Sequence, residues 1–240
     1  SVPIVGNMAK QVAARWATAQ GHSIIDQLRH GVRYLDLRIT VGSLASPPIR
    51  PSTPLHDLYM VHGLLSVKFV DVVADLQRFL AESAHEVVVV DIQHEIDIDS
   101  QRRSALYDHL QETFPSQMAL RSNISSKRVN LDEMWRMGYR LIVLSGSDSD
   151  IAMRPWIWSR HRTLQSPWAN VPNADRLRPL LDRFVAHRDP DRLFVLQGVC
   201  TADMAMIYNG VLSDGRGPQT LHQLASNISQ SLIEWVNDWP

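Results

Sequence analysis

The chain has 240 residues, 45% of them hydrophobic, which suffices for one sizeable core; a single α/β barrel fits that length as well as two small domains do. A formal net charge of -1 gives no reason to invoke nucleic acid as a partner. The single cysteine, Cys200, excludes an intramolecular disulfide framework and a cysteine-based zinc site, and is compatible with a reducing compartment.

The opening segment SVPIVGNMAK has no charged leader followed by an apolar stretch, so it does not read as a signal peptide. It also lacks a starting Met, and sequence upstream is expected. No apolar run approaches the ~20 residues that span a bilayer. The first predicted strand covers residues 32–39, within GVRYLDLRI. Alternation puts Arg33, Leu35, Leu37 and Ile39 on one face and Tyr34, Asp36 and Arg38 on the other. That pattern predicts a strand packed on helices outside and carrying charge into a polar centre. Residues 42–54, GSLASPPIRPSTP, hold four prolines without periodicity and read as a loop.

A second strand, 58–62, ends on His62 with Gly63 behind it. Phe69, Val72, Val73, Leu76, Phe79 and Leu80 then recur at helical spacing. Residues 87–92 form a dense, largely β-branched run, as expected of a strand buried on both faces. Its parity puts Asp91, Gln93 and Glu95 on one face and leaves His94 on the other. A weaker helix follows over 106–113, then a strand over 140–144, a loop over 145–150 (SGSDSD) and a short strand over 156–158. Leu177, Leu180, Leu181 and Phe184 predict another helix, 193–197 a last strand, and Leu221, Leu224, Ile228, Leu232 and Trp235 a closing helix. Strands alternating with helices predict parallel strands joined by crossovers, and one domain over 1–240 is the simplest organisation.

In a barrel of parallel strands, chemistry gathers at the C-terminal strand ends. Here those ends carry Arg38, His62, Gln93 with Glu95, Ser145, Trp158 and Gln197. An arginine and a histidine ending successive strands can bind a phosphate and protonate a leaving group. Singly, each has a plainer reading. Asp–Arg pairs such as Asp36 and Arg38 are often structural, a lone histidine is more often structural than catalytic, and tryptophans most often pack in cores. Their shared position at one end of successive strands favours a site. No His-x-x-x-His, Cys-x-x-Cys, phosphate-binding loop or nucleophile elbow occurs.

WATAQ (16–20), IIDQL (24–28), GVRYLDLRI, VHGLLSVKF, HEVVVVDIQHE, PWANV and LFVLQGVCT run in order over nearly the whole chain. Together they resemble the phosphatidylinositol-specific phospholipase C X-domain family, in particular its animal X-domain-containing proteins and metal-independent bacterial members. The resemblance implies an irregular TIM-type barrel and an intramolecular phosphoryl transfer. In that reaction the inositol 2-hydroxyl attacks the phosphodiester, diacylglycerol leaves and a cyclic inositol phosphate forms. It implies that Arg38 stabilises the phosphate, at the position where calcium-dependent relatives carry an acidic metal ligand. No metal and no cofactor are therefore expected, because a fixed guanidinium bridges phosphate oxygens much as a cation does. The resemblance makes His62 the general acid and Asp36 its acidic neighbour in the site, with Gln93, Glu95 and Trp158 as substrate-binding candidates. Gln93 departs from the glutamate or lysine of the relatives.

The implied partner is phosphatidylinositol or a related phospholipid, met transiently at a membrane surface, and the implied location is cytoplasmic and peripheral to membranes. The family's opening LPGTHDS-like strand bears the general-base histidine, and its closing strand bears an aspartate that orients this base. Neither motif occurs here. The expectation is a fragment lacking its first and last barrel strands, with open edges at 32–39 and 193–197 that invite association. The competing reading is a catalytically incomplete member that binds inositol phosphates or a protein. Metal-dependent barrel phosphodiesterases of the glycerophosphodiesterase or sphingomyelinase D type are disfavoured by Arg38, which stands where they need a carboxylate.

Overall fold

The structure, a computed structural model, describes residues 2–42, 53–123, 129–212 and 217–239. Most of the proline-rich stretch read as a loop lies outside the described residues. Helix α1 (Val2–Ala17) opens the chain. It is followed by α2 (Ile24–Arg29), β1 (Tyr34–Val41), β2 (Leu58–His62), β3 (Leu64–Lys68), α3 (Phe69–Glu82) and β4 (Val88–Ile96). Next come α4 (Ser100–Thr113), α5 (Leu131–Arg136), β5 (Leu141–Ser145), α6 (Asp148–Met153), β6 (Ile157–Ser159) and α7 (Arg160–Thr163). β7 (Leu164–Gln165), α8 (Ala174–Ala186), β8 (Leu193–Phe194), α9 (Met204–Leu212) and α10 (Leu221–Asp238) complete the order. The chain divides into two compact units, His22–Leu164 on one hand and Ser1–Gly21 with Gln165–Pro240 on the other.

The unit His22–Leu164 is built on one sheet with strand order β3-β2-β1-β4-β5-β6. β1, β4, β5 and β6 are parallel neighbours, as the strand–helix alternation predicts. Leu35, Leu37 and Ile39 of β1 and Val88, Val90 and Ile92 of β4 are buried in one core with Phe69, Val72, Val73, Leu76, Phe79 and Leu80 of α3. Fully burying a side chain of this size contributes roughly 1.5–3 kcal/mol, so the α3 stripe fixes which face of the strands looks outward. Arg33 also lies on this outer side. Its Nε bonds Glu86 at 2.6 Å and its guanidinium stacks 4.7 Å from the Phe79 ring centroid.

The expectation of parallel strands throughout is corrected here. β2 is antiparallel to β1, and β3 is antiparallel to β2. Parallel neighbours need a crossover connection, whereas antiparallel ones can be joined by a tight turn, as β2 and β3 are at Gly63. The β2–β3 turn is Gly63, at φ 72, in the left-handed region that favours glycine. β4 flanks β1 over 34–40, whereas β2 pairs with its other side only over 39–41, so among the described residues 34–38 keep the open edge expected there. β3 stands at the sheet's edge, with Leu64, Leu65 and Val67 exposed.

In the other unit, α8 and α10 bury Leu177, Leu181, Leu224 and Ile228 with Cys200, and Trp16 packs against them. Arg178 lies 5.4 Å from the Trp235 ring and 5.5 Å from that of Trp239. The strand expected over 193–197 is shorter, ending at Phe194. The Gln197 amide donates instead to Ser166 Oγ at 2.8 Å.

Candidate active site

With the apolar face of β1 turned to the helices, Tyr34, Asp36 and Arg38 occupy the opposite face, as alternation requires. Arg38 pairs with Asp36, Nη2 to Oδ2 and Nε to Oδ1 each at 3.4 Å. The arginine side chain is 39% exposed, so its guanidinium is open to a ligand. Asp36 stands in register with Asp91 of β4, on the neighbouring strand ~4.8 Å away. Asp91 is fully buried. Its Oδ2 accepts from the Tyr34 hydroxyl at 2.5 Å, and both its oxygens accept from Arg160 Nε at 3.0 Å. Burial pushes the Asp91 carboxyl above its ordinary pKa, against the opposing pull of Tyr34 and Arg160. Burial and the hydrogen bond to Asp91 push the Tyr34 hydroxyl up, so it remains a donor. The polar face thus carries two adjacent carboxylates, each with its own guanidinium.

The alternation expected along β4 breaks at Gln93. The β1–β4 register passes from Leu37↔Ile92 directly to Arg38↔His94, which leaves Gln93 as the extra residue of a β-bulge. Beyond the bulge the faces exchange. His94 takes the place beside Arg38, and Glu95 pairs with Ile39 on the helix side. There Glu95 Oε1 accepts from the Tyr107 hydroxyl at 2.6 Å and Oε2 accepts from Arg103 Nε. A phenol has one proton, and Tyr107 gives it to the carboxylate, so at 2.8 Å it accepts from Ser145 Oγ. Ser145 Oγ in turn accepts from the Ser147 amide at 3.1 Å.

Glu95 is therefore held by α4 and does not face the site, which corrects its reading as a substrate-binding residue. Tyr107→Phe is expected to lower the unfolding free energy by about 1–3 kcal/mol, because the buried carboxylate loses a donor and Ser145 loses an acceptor. Urea denaturation with an unchanged m-value checks this.

Trp158 is likewise corrected: it is 2% exposed, and its Nε1 donates to the Ala119 carbonyl at 2.8 Å. It is a core residue of β6. Gln93 keeps its candidacy, since its Oε1 is buried and has no partner among the described residues. His62 is the exposed last residue of β2, on the strand next to that of Arg38. The β1–β2 pairing ends at Ile39↔Met60, and β2 is irregular between Tyr59 and Val61, just before His62. Arg38 and His62 therefore come from adjacent antiparallel strands and not from two parallel strand ends. The structure pairs Asp36 with Arg38 directly and brings His62 to the neighbouring strand. It adds Tyr34, Asp91, His94 and Arg160 to the same neighbourhood.

Residues 8–145 match the family described as phosphatidylinositol-specific phospholipase C, X domain. The chain belongs to that family. Asp36, Arg38, His62, Asp91 and Gln93 all lie within the X-domain match, whereas Arg160 lies beyond it. PI-PLC X domain-containing protein 3 of Homo sapiens is 26% identical over 236 residues, spanning 98% of this chain and 68% of that protein. The variant-surface-glycoprotein phospholipase C of Trypanosoma cruzi is 29% identical over 242 residues, spanning 93% of this chain and 60% of that protein. Among solved structures, the phosphatidylinositol-specific phospholipase C from Listeria monocytogenes matches with a TM-score of 0.62 at 13% identity, over 95% of this chain and 77% of the bacterial one. That likeness gives the X-domain chain its fold class, a TIM-type α/β barrel. Among the described residues, no helix is long and apolar enough to cross a membrane.

Proposed function

We propose that this protein is a phosphatidylinositol-directed phospholipase C that works by acid–base chemistry without a metal, with residues 1–240 acting as one catalytic domain. The observation that carries this reading is Arg38, an open guanidinium oriented by Asp36 on the polar face of β1. In the reaction the inositol 2-oxygen attacks phosphorus and the bond from phosphorus to the glycerol oxygen breaks. Arg38 neutralises the charge that develops on the non-bridging oxygens. His62 delivers its proton to the departing glycerol oxygen, and diacylglycerol leaves. Asp36 fixes the plane of the Arg38 guanidinium. The buried Gln93 oxygen is suited to accept from an inositol hydroxyl. The proton of the 2-hydroxyl passes to a general base as the oxygen bonds phosphorus. The enzyme meets its substrate at the membrane surface, from the cytoplasmic side.

The test is incubation of the full-length protein with phosphatidylinositol vesicles in excess chelator, with phosphorus NMR of the product. A cyclic inositol phosphate resonance that chelation leaves unchanged is the expected result. Activity lost to the chelator and restored by calcium overturns the metal-independent assignment. Binding of inositol phosphate without any turnover identifies a non-catalytic member of the family.

A further inference from the structure

Arg160 is the least explained charge on the polar face. It follows β6, outside the X-domain match, and reaches Asp91 on β4 across the intervening strand β5. The contact has an unusual form. Arginine and carboxylate commonly meet fork to fork, through two parallel N–H groups. Here both Asp91 oxygens converge on the single Nε of Arg160, at 3.0 Å each. The two terminal nitrogens, with four N–H donors between them, have no hydrogen-bond partner among the described residues. Neither of them is a buried, unmatched atom, and the side chain is 21% exposed.

A guanidinium used only as a structural pin would place its fork on the carboxylate. Arg160 is gripped from the side instead, which leaves the fork open. The grip is itself costly, because Asp91 is removed from water and burying an ion pair rarely stabilises a fold. Tyr34 holds the same carboxylate from β1 and fixes its orientation. Asp91 lies in register with Asp36, whose partner is Arg38. Two Asp–Arg pairs thus stand side by side on one face of the sheet.

We propose that Arg160 is a second phosphate-binding residue of this site, with its Nη fork presented to the phosphate of an inositol phosphate headgroup and its orientation set by Asp91. Only the identity of the ligand rests on the phospholipase reading; the open fork does not. Arg160→Lys tests the proposal while keeping a cation against Asp91. A lysine ammonium sits at one point and cannot serve Asp91 and a ligand with a planar fork.

Calorimetric titration of the full-length protein with myo-inositol 1-phosphate and with inorganic phosphate gives the readout. For Arg160→Lys, Kd is expected to rise ~10-fold or more for both ligands, with the wild-type circular dichroism spectrum retained. Asp91→Asn, which keeps an oxygen for Tyr34 and Arg160 but frees the guanidinium to move, is expected to weaken both ligands by a smaller factor. If the ligand is the lipid headgroup, KM for phosphatidylinositol vesicles rises by the same factor as Kd. If it is the free inositol phosphate, KM stays unchanged while Kd rises.

Wild-type affinity of folded Arg160→Lys for both ligands overturns the proposal and leaves a structural ion pair. Loss of myo-inositol 1-phosphate binding with unchanged binding of inorganic phosphate overturns the phosphate assignment. A wild-type protein that binds phosphate through Arg160 but turns over no lipid removes the phospholipase reading and leaves the phosphate site standing.

Discussion

Replacing Arg38 by alanine is expected to lower kcat/KM for phosphatidylinositol by ~10³–10⁵-fold, the range spanned by arginines that neutralise a phosphoryl transition state. Two effects add. The charge that meets the phosphate oxygens is lost, and Asp36 is left as an unpaired carboxylate that repels the incoming anion. Arg38→Lys is expected to be nearly as severe. An ammonium cannot hold Asp36 and bridge two phosphate oxygens at once. The fold should be indifferent, because Arg38 is half-open and its contacts to Asp36 are long, at 3.4 Å. Partly exposed pairs of this kind contribute ~1 kcal/mol at most. Steady-state kinetics on vesicles alongside thermal unfolding separates the two readouts. An Arg38→Ala protein within tenfold of wild-type turnover removes Arg38 from the chemistry.

The second large effect is expected at His62. His62→Ala should reduce turnover ~10²–10⁴-fold, the contribution of a positioned general acid. The acid is needed because the glycerol oxygen is a poor leaving group without a proton. A phosphodiester of inositol with a nitrophenol leaving group departs as a stable anion. It should restore most of the activity of His62→Ala and none of that of Arg38→Ala. Equal rescue of both variants would take the acid role away from His62. This comparison also tests geometry. In the proposed mechanism His62 acts from β2, a strand antiparallel to β1, one residue before the β2–β3 turn at Gly63.

Where periodicity was confined to one strand, the sequence was a sound guide. The alternation of β1 is visible in YLDLRI alone, since burial of Leu35, Leu37 and Ile39 follows from their spacing. The bulge at Gln93 was not visible, because register is a property of two strands and a one-residue slip exchanges the faces. His94 and Glu95 were therefore assigned to each other's sides. The hairpin β2–β3 was missed for a related reason: LLSVK follows His62 after one glycine and carries no turn signature beyond it. SGSDSD reads as loop by composition, yet Ser147 accepts from the Asp150 amide and caps α6. Arg160 left no trace in the sequence, for its partner is Asp91, on a strand two positions away in the sheet.

The extra residue in β4 gives one strand two incompatible phases. Up to Ile92, even-numbered positions belong to the oily side of the sheet; from His94 onward they belong to the wet side. The boundary is the width of one residue. Removing Gln93 would close the bulge and let β4 alternate without a break, with His94 still beside Arg38 and Glu95 still held by Arg103 and Tyr107. What the strand would lose is the buried amide oxygen of Gln93. The extra residue is thus an insertion that adds a polar group to the sheet without disturbing the partners on either side of it.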